Sequence, residues 1–278
     1  MSAAPASGPI FATGRVKANG LLCDGMHRLD LELPRPTAFA PGQFAMLNFG
    51  GRDRLIFGRP LSILAVEAGA VSFLYRVAGE GTSRLAAVAP GAELAYFGPL
   101  GNSLPPRDDG PPRLLLAGGV GLPPLLAWHH RHGREADLAL FGARAPQQVP
   151  WTLLSERWAV SVDSAGQTPA GRAAFEGTVV ALADKLLARR PERDWRLLAC
   201  GPLPMLRAAA RLAAARGWSC LVCVEERMGC GYGVCRGCVV PARAGDWLTA
   251  CQDGPVLDAA TIDWERFGAS APTPGGGS

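Results

Sequence analysis

Nowhere in the 278 residues does an apolar run approach the roughly 20 positions that a membrane-crossing helix needs. The first nine residues carry Ala and Pro but not the basic stretch and apolar core of an export signal. Charge of one sign is also scarce: 28 Lys and Arg against 24 Asp and Glu leave +4, spread along the chain. That balance gives no electrostatic reason to bind nucleic acid or a membrane surface. Neither a nucleophile-base triad nor a pair of facing carboxylates is found, so acid–base or nucleophilic catalysis is not expected. His129, His130 and His132 are read as a solvated helix face rather than a metal site. No internal repeat is found. Eight cysteines without an export signal imply reduced or metal-bound thiols and a cytoplasmic location.

Four of those cysteines dominate what is present. The run Cys230-Gly-Tyr-Gly-Val-Cys235-Arg-Gly-Cys238 is followed after twelve residues by Cys251. This C-x4-C-x2-C plus a distant fourth cysteine is the plant-type 2Fe–2S spacing. Two irons bridged by sulfides need four thiolates from a loop that closes over them. Gly231, Gly233 and Gly237 let that loop adopt positive φ and turn N–H groups toward sulfur. Cys251 is expected on a short strand, Thr249 to Cys251. The alternative is zinc, which is usually held by paired C-x2-C knuckles, and only one such pair occurs here. A second C-x2-C, Cys220 and Cys223, falls in an apolar strand whose alternation sends the two thiols to opposite faces, so both are expected to be buried. Cys23 is read as structural.

The remainder divides by rhythm. From Ile10 to about Pro105, short alternating runs such as Leu29–Leu33, Gln43–Asn48 and Ala70–Val77 are broken by Gly and Pro, as in antiparallel strands of a small barrel. Pro105 to Pro112 forms a linker. Beyond it, Arg113–Ala117, Ala136–Phe141, Trp158–Val162 and Trp195–Cys200 are apolar strands. Helical stretches Val179–Arg190 and Pro204–Arg216 alternate with them, which is the pattern of an open parallel α/β sheet. Ser219–Val224 is taken as its last strand. The expected domains are 10–105, 111–224 and 225–262, with 263–278 a disordered tail.

Several short motifs are ambiguous alone. Arg59-Pro60-Leu61-Ser62 offers a cation for a diphosphate and a hydroxyl for a flavin ring nitrogen, or a strand start with a surface arginine. Tyr75-Arg76-Val77 offers a stacking ring and a second cation, and Gly79 to Thr82 a glycine turn exposing N–H groups. Gly118-Gly119-Val120-Gly121, between strand and helix, suits a dinucleotide diphosphate or a tight turn, and departs from a full G-x-G-x-x-G. Cys200 and Gly201 lie just past a strand's carboxyl end, where open α/β sheets place ligands.

Taken together and in order, these pieces resemble the ferredoxin-NADP reductase superfamily. Within it, they are most similar to the electron-transfer subunits of class 1B dihydroorotate dehydrogenase. The most specific stretch is Glu225 to Cys238, and Arg59–Ser62, Leu74–Arg76, Gly81-Thr82, Ala199–Pro202 and Cys251–Val256 accompany it. The resemblance implies a ferredoxin-reductase-like β plus α/β fold: an FAD-binding barrel, an NAD-binding domain and a small C-terminal 2Fe–2S subdomain. It implies FAD on Arg59, Pro60, Leu61, Ser62, Leu74, Tyr75, Arg76, Gly81 and Thr82. NAD(H) is implied at Gly118, Gly119, Gly121, Cys200 and Gly201, and the cluster on Cys230, Cys235, Cys238 and Cys251. The implied partner is an FMN-containing catalytic subunit that oxidises dihydroorotate in pyrimidine biosynthesis, in an assembly of two of each chain. A reductase of ferredoxin, a hydrogenase-type subunit and a zinc-stabilised, non-enzymatic interaction module are the other readings. Two departures from the family stand out: Ala117 where many relatives have a third glycine, and a proline- and alanine-bearing segment 165–176 near which nucleotide preference is expected to be set. Arg144 is a further candidate for meeting a ribose phosphate.

Overall fold

The computed structural model describes residues 8–35, 37–49, 57–191 and 193–268. Six strands come first: β1 Ile10–Cys23, β2 Met26–Glu32, β3 Phe44–Asn48, β4 Arg59–Glu67, β5 Ala70–Tyr75 and β6 Glu93–Leu100, with the short helix α1 Glu80–Ala86 between the last two. They close into an antiparallel barrel in the order β1-β2-β5-β4-β3-β6. The fourteen-residue β1 pairs with β6 through its first half and with β2 through its second. Register shifts at Val16/Ala18 and Leu21/Cys23 bend it enough to serve both neighbours. Inward positions Val16, Leu29, Leu31, Ile63, Val71, Phe73 and Tyr96 fill the barrel.

The second unit is built from β7 Arg113–Gly118, α2 Leu122–His132, β8 Leu138–Ala143, β9 Trp158–Val162, β10 Ala174–Glu176, α3 Val179–Leu187, β11 Arg196–Cys200, α4 Leu203–Ala215 and β12 Cys220–Cys223. Every residue of β7 is buried, as a strand covered on both faces requires. The chain ends with β13 Val239–Pro241, β14 Trp247–Thr249 and β15 Val256–Asp258. The large sheet runs β10-β9-β8-β7-β11-β12-β15, and β13 pairs with β14.

Four expectations are corrected here. The sheet does not stop at Ser219–Val224: β15 returns from the C-terminal segment and pairs antiparallel with β12, Cys223 opposite Val256. His129 is not on a solvated face. It is buried with its ring edge-on to Trp158 at 5.4 Å, and burial pushes its imidazole down to about 4, so it is neutral. And Gly79 does not make a glycine turn but opens α1, where Thr82 Oγ1 accepts from the N–H groups of Ala78 (2.8 Å) and Gly79 (3.2 Å). The chain also stays packed beyond 263: Phe267 is buried and its carbonyl accepts from Arg207. Residues 269–278, the rest of the expected tail, lie outside the described residues.

Barrel and sheet are joined by specific bonds. Trp128 on α2 donates to the Pro105 carbonyl at 2.8 Å, and Arg131 to the Phe39 carbonyl. In the linker, Asp108 receives Arg113 and Arg196, while buried Asp137 receives Arg107. Cys220 and Cys223 do face opposite sides of the sheet, in separate apolar clusters.

Candidate functional site

In the sheet, β8 and β9 lie to one side of β7 and β11 to the other, so the strand order reverses between β7 and β11. Loops leaving the carboxyl ends of those two strands must part there and leave a crevice, the usual ligand position in an open α/β sheet. Gly118 to Gly121 leaves β7 and Cys200 to Pro202 leaves β11. Both edge a cleft of about 790 Å³ that opens between sheet and barrel. The barrel side carries Arg59, Pro60, Leu61 and Ser62 from β4, Leu74 and Tyr75 from the end of β5, then Arg76, Gly81 and Thr82. Every residue that the resemblance assigns to FAD or NAD(H) therefore lines one cavity. Segments 140 residues apart in the chain meet there.

The glycines in the cleft are explained by what a β-carbon would strike. At Gly81 it would lie 1.7 Å from Arg59 Nε, so the guanidinium packs directly against that glycine. At Gly121 it would fall 2.3 Å from the Cys200 carbonyl oxygen, which is how closely the β7 and β11 loops approach. Arg59 also donates to the carbonyls of Phe57 and Gly58.

Tyr75 does not present its ring to the cleft. It is buried, stacked on His27 at 5.2 Å, and its hydroxyl donates to Asn19 Oδ1 at 2.7 Å; burial pushes the phenol up to about 12. Strand alternation turns its side chain into the barrel, with Val71 and Phe73. Arg144 and segment 165–176 are not among the lining residues. The Arg144 carbonyl is tied to Ser164, and Gly166 packs toward Pro146. Sequence reading missed Phe44, Phe57 and Cys223 as wall residues, and gave Glu225 to Met228 no individual role. The aromatic two positions before Arg59 was the available signal for Phe57.

Next to the cleft the cysteine loop closes. Cys238 Sγ lies 3.2 Å from Cys251 Sγ, and the Cys235 side chain hydrogen-bonds to Cys230. The thiols thus stand as two pairs. Two thiols per metal is the donor set of a binuclear cluster. Backbone N–H groups aim at the sulfurs: Gly233 to Cys251 at 3.1 Å, Cys235 to Cys230 at 3.4 Å and Tyr232 to Cys230 at 3.5 Å. Burial pushes the Cys230 thiol up, but the N–H bonds from Cys235 and Tyr232 outweigh it and bring the group down to about 6. Cys251 goes the other way, to about 12, through burial and the neighbouring Cys238 thiol. It sits in the turn after β14 rather than on a strand, because Asp253 accepts from both the Thr249 N–H and hydroxyl and reverses the chain. Gly229 lies between cleft and loop, with Cys235 Sγ and the Phe57 ring each 3.3 Å from where its β-carbon would be.

Residues 225–263 match the family described as the iron-sulfur cluster binding domain of dihydroorotate dehydrogenase B. The electron transfer subunit of dihydroorotate dehydrogenase B (NAD(+)) from Bacillus velezensis is 33% identical over 255 residues, covering 89% of this chain and 96% of that one. The Aquifex aeolicus homolog of that subunit is 32% identical, covering 87% and 94%. Among solved structures, the NADH-dependent reduced ferredoxin-NADP oxidoreductase superposes with a TM-score of 0.75 at 24% identity over 91% of each chain. A Neisseria gonorrhoeae ferredoxin NADP+ reductase gives 0.61 at 17%, covering 78% of this chain and 94% of its own. Those structural likenesses establish a ferredoxin-reductase-like fold. With relatives at this identity along nearly its whole length, the chain belongs to the family of dihydroorotate dehydrogenase B (NAD(+)) electron transfer subunits.

Proposed function

We propose that this chain carries electrons between NAD+ and an FMN-containing catalytic subunit that oxidises dihydroorotate to orotate in pyrimidine biosynthesis. The observation that carries the reading is the adjacency of one cleft and one thiol loop, separated by Gly229. The residues present fit FAD, NAD(H) and a 2Fe–2S cluster: a guanidinium seated on a glycine, a glycine loop at the sheet's reversal point, and paired thiols under N–H donors. When bound, NAD(H) exchanges a hydride, the cluster single electrons, and FAD both.

The chain's own residues do the holding and tuning. In this reading Arg59 and Arg76 supply positive charge to the flavin diphosphate, and Gly81 and Thr82 supply backbone close to it. Pro60, Leu61, Ser62, Leu74 and Tyr75 form the wall against which the flavin lies. Gly118, Gly119 and Gly121 admit the nucleotide diphosphate, with Cys200 and Gly201 at the nicotinamide end. Cys230, Cys235, Cys238 and Cys251 hold the cluster, and the N–H groups of Tyr232, Gly233 and Cys235 stabilise negative charge on sulfur. No side chain is needed to move a proton to substrate, so the partner must do that chemistry.

The assembly proposed is two copies of each subunit, working in the cytoplasm. No helix among the described residues is long and apolar enough to cross a membrane. The test is to purify the chain alone and with its partner. Alone it should reduce an artificial dye with NADH and make no orotate; with the partner, dihydroorotate should reduce NAD+. Orotate from the lone chain, or an isolated ferredoxin or hydrogenase partner in place of the FMN subunit, would refute the proposal.

A further inference from the structure

Outside the cysteine loop stand Cys23, Cys200, Cys220 and Cys223. Cys23 lies alone at the end of β1, its thiol against the Gln148 carbonyl. Cys220 faces the opposite side of the sheet from Cys223. Cys200 and Cys223 are different. They are direct register partners on adjacent parallel strands, β11 and β12. Their side chains leave the same face from backbones about 4.8 Å apart. Their thiols hydrogen-bond to each other, and both residues line the cleft.

The neighbouring Cys223 thiol and burial push the Cys200 thiol well above its usual value. The Cys200 thiol therefore stands protonated and reacts slowly with a reagent that needs one thiolate. A soft centre with two exchangeable positions meets no such obstacle, since after one sulfur bonds the second is already in place. The second bond is intramolecular and gains from effective concentration. We propose that Cys200 and Cys223 form a chelating dithiol site for trivalent organoarsenicals at the nucleotide end of the cleft. With an arsine oxide, two S–H bonds and the As–O bonds break, two As–S bonds form, and one water leaves. Arsenic stays trivalent, so no oxidant or reductant is needed. The site stands on the thiol geometry; its competition with nucleotide also rests on the functional reading above.

The experiment titrates the cluster-loaded chain with phenylarsine oxide and follows native mass and iron content together. One phenylarsenic per chain is expected with iron retained, reversed by excess dithiothreitol but not by a monothiol. Cys200→Ser and Cys223→Ser should each weaken binding by on the order of 100-fold, while Cys23→Ser and Cys220→Ser leave it unchanged. Should either serine variant fail to fold, digestion of the wild-type adduct decides: arsenic must link the peptides holding residues 200 and 223. Undiminished binding to Cys223→Ser, no adduct on the wild type, or an adduct formed only as iron is lost would overturn the site. Binding that maps to the pair but is not slowed by NADH upholds the site and removes the nucleotide from that end of the cleft.

Discussion

The guanidinium of Arg59 occupies the space that a side chain at Gly81 would need, with Nε 1.7 Å from the position of the missing β-carbon. A residue on β4 and one in the first turn of α1 are thereby coupled, although 22 positions separate them in the chain. Gly81→Ala must displace the arginine. Charge-assisted bonds of this kind are worth about 1.5–3 kcal/mol, so flavin affinity should fall roughly 10- to 100-fold. Arg59→Ala should cost a similar amount, and the double variant little more than either alone. Flavin fluorescence titration of the three variants checks this, and additive losses would contradict the coupling.

Gly233 has φ +91°, and a β-carbon on it would lie 2.3 Å from Gln252 Oε1. Its N–H is also the one that reaches Cys251 Sγ. Gly233→Ala should therefore lower iron and acid-labile sulfide while leaving flavin content near normal, because the barrel wall is untouched. The left-handed conformation alone costs a non-glycine residue about 1–2 kcal/mol. Metal analysis set against flavin absorbance separates this from general misfolding, which would lose both.

What could be seen in the chain beforehand was whatever is local. The four cysteines from Cys230 to Cys251 crowd into 22 residues, so their spacing reflects one local loop. Alternation in β2 and the unbroken apolar run of β7 likewise report one-sided and two-sided burial. The misreadings arose where a distant partner decides. Nothing near Val256 announces that it will pair with Cys223, 33 positions earlier. Tyr75 has a stacking ring, but the parity of β5 and the presence of His27 and Asn19 turn it inward. His129 belongs to a polar-looking run, and only the packing of α2 beside Trp158 buries it.

Asp137 gives a pH-dependent prediction. Burial pushes its carboxyl up, but bonds from the Arg107 side chain and from the N–H groups of Arg113 (2.8 Å) and Arg134 (2.7 Å) outweigh that and hold it below the usual carboxylate range. The folded pKa is depressed, so the unfolded chain binds the proton more readily. Its stabilisation is complete above about pH 4, the unfolded value, and is lost as pH falls toward the folded one. Asp137→Asn breaks a buried pair and should cost about 3–5 kcal/mol at neutral pH. Urea unfolding should show that gap narrowing in acid. A gap that widens as pH drops would reverse the assignment.

Asn102, just past β6, joins the barrel to the segment that carries the fourth cysteine. Its Nδ2 donates to the carbonyls of Asp253 (3.0 Å) and Val256 (2.8 Å), its Oδ1 accepts from the Val256 N–H (2.9 Å), and its own N–H reaches the Gly254 carbonyl. Three side-chain bonds at about 1 kcal/mol each put the cost of Asn102→Ala near 3 kcal/mol. The loss should be local. The strand that Asn102 holds, β15, is an edge strand, and its neighbour β12 leads directly into the wall Glu225 to Met228. Hydrogen exchange at Val224 and Val256 should therefore quicken together, while exchange in the barrel strands β1 and β2 stays unchanged. Loosening one end of the cysteine segment should also shorten the lifetime of the cluster against a chelator without altering how tightly fresh flavin binds. If protection fell evenly through the barrel instead, Asn102 would be a general stabiliser and not the tie between the two redox halves of the chain.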